Sequence, residues 1–313
     1  MALTRASLGR GPAIVTWNGG TFFMRDSMVP KHSPVWKPVG CTQLGQIDKY
    51  KSDFMIKHSF QLFGLFANMD KLFPSALLNP VPGTALFGTD TALGIQARDG
   101  SNVTYPNTQI TKLTDLFLGV DNELFAANLE MTSLISNTAL ASGGPEVAGA
   151  YFSRSTTSYS ETTFALTNFL KTRWTAAWAA KTGFTSIVAE KGFNIAWNLD
   201  LKPHVVDGYG TVDMIIGEGG MVAACKCVPI GPTLAQGDTA QAVHSAHGTL
   251  LGAGGADLTI SSFAGSHSVV LKTANLVETS AAFGIEPLRV NEHTWETTRL
   301  VTTGAVAAMA TVA

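Results

Sequence analysis

Charge is scarce in this chain. Asp, Glu, Lys and Arg make up 14% of its 313 residues, against roughly 25% in ordinary soluble domains. So poor a surface suits a chain whose exterior is largely covered by other subunits. Neither sign dominates: 21 Lys and Arg stand against 23 Asp and Glu, a formal net charge of −2. That excludes a generic polycationic nucleic-acid clamp, which needs a basic excess to release counterions. Three cysteines build no disulfide framework, and a reducing cytoplasm is the simplest place of synthesis. No uninterrupted apolar run reaches the roughly 18 residues of a membrane-spanning helix. Met1 to Val15 carries Arg5 and Arg10 but no continuous apolar stretch, so no secretory signal is expected.

Catalytic and metal signatures are equally thin. His244 and His247 have the spacing of neighbours on a helix face, but no zincin Glu and no third ligand accompany them. Surface or interface histidines are the simpler reading. Cys225-Lys226-Cys227 lacks the C-x-x-C spacing, and alternation along a strand makes both sulfurs small buried apolar groups. Gly217-Glu218-Gly219-Gly220 follows Met214-Ile215-Ile216 but carries neither a dinucleotide fingerprint nor the Lys-Ser/Thr of a P-loop, and reads as a hairpin turn. There is no G-x-S-x-G elbow. Asn102-Val103-Thr104 matches a glycosylation acceptor, which without a secretory route is a chance match. No catalytic residue, metal ligand or cofactor is expected, and no enzyme.

What the chain has is strand signals. Leu93, Ile95 and Ala97 alternate with polar or small residues, Asp99-Gly100 supplies a hairpin turn, and Val103 and Tyr105 resume the alternation. Leu116, Leu118 and Val120 continue the pattern, and Leu124 to Ile135 reads as a further strand. A hairpin tip is expected within Gly40 to Gly45. Helical periodicity is confined to Gly64–Phe73, stopped by Pro74, and Thr233–His247. Asn137 to Thr163 is rich in Ser, Thr and Gly and reads as a linker.

The parts on either side of it look alike. Phe22/Phe164, Trp36/Trp178 and Asp48-Lys49/Glu190-Lys191 are each 142 apart; Gly40/Gly183 and Thr42/Thr185 are 143 apart. Leu93/Leu258 and Ile95/Ile260 hold 165, and Leu118/Leu288 and Phe125/Trp295 hold 170. Collinear blocks with growing spacing imply a duplication: residues 1–140 as one β domain, 141–160 as linker, 161–313 as a second domain with insertions. Leu93, Ile95, Leu118 and Phe125, with Leu258, Ile260, Leu288 and Trp295, are the expected core pairs. The densest charge in the first half, Asp48-Lys49-Tyr50-Lys51-Ser52-Asp53, sits beyond the hairpin glycines. Lys49 and Lys51, with Lys191 in the second half, are candidate contacts of a β-arm with a neighbouring subunit. Asp48, Asp53 and Glu190 are candidate acids facing a bore.

From Pro12 to Ile135 the residues resemble the tail tube (major tail) proteins of long-tailed bacteriophages. The likeness rests on Pro38-Val39-Gly40, Gly45-Gln46-Ile47-Asp48, Lys51-Ser52-Asp53, Leu72-Phe73-Pro74 and Gly83–Asp90, and then on Leu93-Gly94-Ile95, Asp99-Gly100, Asn107–Thr111, Leu116-Phe117-Leu118 and Leu124–Leu134. These are loose turn-and-strand patterns, and the second half lacks the Phe-Gly-Thr-Asp block. The resemblance implies an all-β fold with minor α content: two tandem β-sandwich or half-barrel tube-like domains, each with a flanking helix. It also implies self-assembly into rings stacked as a hollow tube, with three chains making a pseudo-sixfold ring or, alternatively, six chains. The implied partners are other tail proteins (tape measure, terminator, distal tail) and genomic DNA passing without specific binding; no membrane is implied. The place of action would be the virion tail, after synthesis in the host cytoplasm. The alternatives are a tail terminator, a head–tail joining or decoration protein, or a carbohydrate-binding β-sandwich.

Overall fold

The computed structural model describes residues 14–24, 31–41, 45–64, 66–73, 81–97, 99–119, 125–157, 174–180, 184–230, 255–262, 267–282 and 289–298, with short pieces at 301–302, 305–306 and 310–312. Among the described residues the chain is all-β with one short α-helix. The first half contributes β1 (Ile14–Trp17), β2 (Gly20–Met24), β3 (Lys31–Cys41), β4 (Gly45–Gly64), β5 (Leu93–Gln96), β6 (Ser101–Tyr105), β7 (Asn107–Leu118), β8 (Phe125–Leu134) and β9 (Ser153–Thr156). The second contributes β10 (Trp174–Trp178), β11 (Val188–Val206), β12 (Gly210–Ile230), β13 (Ala256–Ser262), β14 (Ser268–Ala282), β15 (Arg289–Thr298), β16 (Val301–Thr302), β17 (Ala305–Val306) and β18 (Ala310–Val312). Sixteen strands join in one sheet, in the order β10-β13-β14-β15-β12-β11-β7-β8-β4-β2-β1-β5-β6-β9, with β3 added to β4 and β18 to β14.

One pairing scheme runs through both halves. β1 pairs β5, β5 pairs β6, β7 pairs β8, and β8 pairs β4, which pairs β3. In the second half β10 pairs β13, β13 pairs β14, β14 pairs β15, and β15 pairs β12, which pairs β11. There β14 spans what β6 and β7 cover separately. β9 lies on β6 as β18 lies on β14. Two tryptophans mark the same place in each copy. Trp17 faces Leu93 and donates its indole N–H to the Thr108 carbonyl at 3.1 Å. Trp178 faces Leu258 and donates to the Ala274 carbonyl at 3.2 Å.

These anchors set a different correspondence from the one that residue type suggests. Trp178 corresponds to Trp17, 161 residues before it, and not to Trp36, which lies on β3. Phe164, Gly183 and Thr42 lie outside the described residues. Asp48-Lys49 lies on the returning strand of its hairpin, β4, whereas Glu190-Lys191 lies on the outgoing strand β11, so the two pairs are not equivalent. Two residues beyond Thr108, Ile110 pairs with Met131; two beyond Ala274, Leu276 pairs with Trp295. Trp295 therefore corresponds to Met131, 164 residues before it, rather than to Phe125. The Leu93/Leu258 spacing of 165 stands. Matching by residue type failed because a period-two pattern fits any other strand in half of its registers.

The expected linker is built structure. α1 (Asn137–Ser142) is capped by the Ser136 hydroxyl, which accepts from the Ala139 N–H at 3.1 Å, and Gly143 closes it. A 3-10 turn, Gly144–Glu146, and then β9 follow, and residues 158–163 lie outside the described part. Where the first half places α1, the second places the β16–β17 pair. Phe66–Leu72 is a 3-10 helix following β4, and Thr233–His247 lies outside the described residues.

The core is continuous across the halves, with Leu93, Leu118, Leu258, Ile260 and Trp295 fully buried in it and Ile95 half-buried against it. The Phe125 side chain and Leu288 lie outside the described part. Among the described residues three non-glycines have positive φ, Asn18, Ser186 and Thr273, and only the last is β-branched and inside a strand. Thr273, within β14, has φ 48, a conformation that costs a β-branched residue of order 1–3 kcal/mol.

Candidate assembly surface

The two repeats meet edge to edge. β11 of the second pairs antiparallel with β7 of the first, with Phe193 opposite Leu118, Ile195 opposite Leu116 and Asn198 opposite Lys112. Asp115 ties the seam: it accepts from the Asn194 amide at 2.8 Å across the junction and from the Asn128 amide at 3.2 Å on its own side. Replacing Asp115 with alanine leaves both amides without this acceptor. The expected loss is about 1–3 kcal/mol of unfolding free energy, read by urea denaturation.

A second contact clasps the halves. Beyond Leu199 and Met221 the β11–β12 hairpin continues as an arm, with Leu201 opposite Ile216 and Val206 opposite Gly210. At its root Gly217–Gly220 forms a bulge inside β12, not the hairpin turn that its glycines suggested. The reason is Asp200, whose carboxylate accepts from the Gly219 N–H at 3.1 Å and lies 2.1 Å from where a Cβ on Gly217 would sit. The arm then lies across residues Gly83 to Phe87, which add to it as a further strand. The Gly83 N–H donates to the Ile216 carbonyl at 2.8 Å, the Ile216 N–H to Thr84 at 3.0 Å, and the Leu86 N–H to Met214 at 2.9 Å. The Phe87 N–H donates to the Asp213 carboxylate at 2.9 Å, and the Phe87 carbonyl accepts from the Asn107 and Asn137 amides. This docking strip falls in the Gly83–Asp90 block that only the first half carries.

Two edges equivalent to this junction have no partner strand among the described residues. One is the outer edge of β3, the counterpart of β11. The other is the stretch Asn275–Ala282 of β14, the counterpart of β7. Both carry a large exposed apolar side chain, Val35 on β3 (48% exposed) and Val277 on β14 (42%).

The sheet face turned away from the core is polar and leans acidic. Among the described side chains Asp115, Glu130, Glu278, Glu292 and Glu296 stand against Lys31, Lys57, Lys112 and Lys226. Lys112 pairs with Glu130 at 3.6 Å and Lys226 with Glu292 at 3.5 Å. Sequence reasoning missed this set, because only the register of seven strands brings these residues onto one face. Of the acids it singled out, Glu190 is exposed on β11. Asp48, opposite Val39, and Asp53, opposite Val35, lie on β4, where their side chains fall outside the described part. Lys49 and Lys51 lie on the same strand, opposite Pro38 and Trp36; their side chains and that of Lys191 are likewise outside it.

His58 shares a hydrogen bond with Ser133 at 2.7 Å, and Ser133 one with Thr108 at 2.6 Å. All three are fully buried, so the set is core hydrogen bonding that no substrate reaches. Among the described residues no group of three or more His, Cys, Asp or Glu could hold a metal ion; His244 and His247 lie outside them. Cys225 and Cys227 are buried on one face of β12, and burial pushes both thiols well up. An alkylating reagent at pH 8 is therefore expected to leave both unlabelled in the native protein and to label them in denaturant, as peptide mapping would show. Among the described residues no helix is long and apolar enough to cross a membrane. The chain matches no family model, and no curated protein matches it.

Proposed function

We propose that this chain is a non-catalytic structural subunit. It pairs edge to edge with further copies of itself into closed rings, and the rings stack as the hollow tail tube of a long-tailed bacteriophage. The observation that carries the reading is the β7–β11 junction. It joins two copies of one β unit through their edges, while the equivalent edges on β14 and β3 carry no partner strand among the described residues. An open edge beside an exposed valine is an aggregation hazard unless another strand covers it. A second copy meets that need in a head-to-tail arrangement, and such an arrangement closes as a ring when its rotation allows. Three chains supply six β units. The resemblance of residues 12–135 to tail tube proteins supports stacking of such rings and a place in the virion. It also supports tape measure, terminator and distal tail proteins as partners.

The acidic lean of the outward sheet face supports its use as a bore wall, since carboxylates repel DNA phosphates and leave no counterions to release. Asp48, Asp53 and Glu190 stay part of this reading, with the sheet-face carboxylates added to them. Negative-stain microscopy of the purified protein tests it. Tubes built of threefold rings of chains are the expected result. Single rings or trimers that never stack would favour a terminator, joining or decoration protein, and monomers at high concentration would overturn self-assembly altogether.

A further inference from the structure

β14 is one strand with two sets of partners, and the change happens at a single strained residue. Up to Ala274 it pairs with β13, and at Val269–Leu271 also with β18; from Asn275 on it pairs with β15. Between these stretches Thr273 sits at φ 48. Its conformation is held from outside. The Asp257 carboxylate, on β13, accepts from the Thr273 N–H at 3.1 Å and from the Lys272 ammonium at 2.7 Å. The Thr297 hydroxyl, on β15, donates to the Lys272 carbonyl. A Cβ on Gly255 would stand 2.2 Å from the Thr273 carbonyl oxygen, so the residue that leads into β13 needs to be glycine.

The first half handles the same corner differently. At the matching place, 166 residues earlier, stands Asn107, fully buried, whose amide reaches the carbonyls of Phe87 and Ile135 at 3.3 Å each. That corner is neutral and internal, and the edge beyond it is already covered by β11. In the second half the corner is an ion pair at the surface, and the edge beyond it has no partner strand among the described residues. The charged version stands where the direction of the strand matters for a partner still to arrive.

We infer that Asp257, with Lys272, is a latch that holds Thr273 in its left-handed conformation and so aims the open edge Asn275–Ala282 at β3 of a second copy of this chain. Asp257 is thus a positioning residue for assembly. The inference rests on the self-assembly reading above. The Lys272 ammonium holds the Asp257 carboxyl below its usual range, so the latch is charged at neutral pH.

Asp257→Asn keeps the shape and removes the ion pair; Thr273→Gly adopts the left-handed conformation without strain. In the full-length protein Asp257→Asn is expected to raise the critical concentration for assembly about tenfold, by sedimentation. Adding Thr273→Gly to it is expected to restore assembly to within about threefold of the unsubstituted chain, because the bend then needs no latch. A merely structural role would give a loss of assembly that follows the fall in melting temperature and no rescue by glycine; either result overturns the inference, as does unchanged assembly of Asp257→Asn. Hydrogen exchange separates this from failure of the assembly reading. If the unsubstituted chain stays monomeric, the assembly reading fails. The latch itself is still upheld if Asp257→Asn speeds amide exchange over residues 275–282 and not over β7, and overturned if it does not.

Discussion

Replacing Trp295 with alanine is expected to lower the unfolding free energy by about 3–5 kcal/mol, the largest effect of any single truncation considered for this chain. The side chain is fully buried on β15, between Cys225 of β12 and Leu276 of β14. Three rings surround it edge-on: Trp178 with centroids 6.1 Å apart, Phe184 at 5.8 Å and His293 at 5.3 Å. Removing the indole opens a cavity that β-strands bonded on both sides cannot collapse to fill, so the cavity term adds in full to the lost burial. The indole N–H has no hydrogen-bond partner among the described residues. Trp295→Phe therefore gives up volume but no hydrogen bond, and is expected to cost less than half as much. Guanidinium denaturation followed by circular dichroism measures both. A loss under about 1 kcal/mol for the alanine variant would mean that this ring cluster does not hold the second half together.

Reversing charge on the outward sheet face is expected to change how assembled tubes treat DNA. With Asp115, Glu130, Glu278, Glu292 and Glu296 beside Lys31, Lys57, Lys112 and Lys226, duplex DNA should show no salt-sensitive retention by tubes at about 0.1 M salt, where the Debye length is about 10 Å. Glu130→Lys with Glu296→Lys places one charge reversal in each repeat and turns the balance of the whole face basic. Each lysine that meets a phosphate adds about 0.9 to the slope of log affinity against log salt. The double variant is therefore expected to hold DNA at low salt and release it steeply as salt rises, by filter binding on sedimented tubes. Equal retention by the two proteins would show that this face is not the one that lines the bore. Strong retention by the unsubstituted tubes would sink the acidic-conduit reading.

The β class was legible because alternation needs only local sequence. Leu93 to Ala97, the Asp99-Gly100 turn and the strand ending at Leu134 could be marked from periodicity and turn chemistry alone, and β5, β6 and β8 stand there. Cys225 and Cys227 could be placed on one strand face by the same argument. A likeness between the halves was legible as a pattern, but not the register in which their strand pairings correspond. Trp36 was matched to Trp178 because both are tryptophans in strands, whereas the residue that shares the hydrogen bond of Trp178 is Trp17. Asn137 to Thr163 looked like a linker because Ser and Gly mark loops; they also cap a short helix and build an edge strand, as Ser136, Gly143 and Ser153 to Thr156 do here.

By itself the sequence determined the secondary structure class, the burial of its apolar alternation and the absence of a basic surplus, since each follows from residue type and period-two spacing. The tertiary structure alone decided which strands are neighbours. Pairing of β7 with β11 brings residues about 80 positions apart to one hydrogen-bonded seam, and nothing local encodes it, because the backbone groups that bond are the same in every residue. The outward carboxylates, the arm on Gly83–Phe87 and the edges of β3 and β14 that lack a partner strand among the described residues are all matters of pairing. They are properties of register, which a chain acquires only when its strands meet.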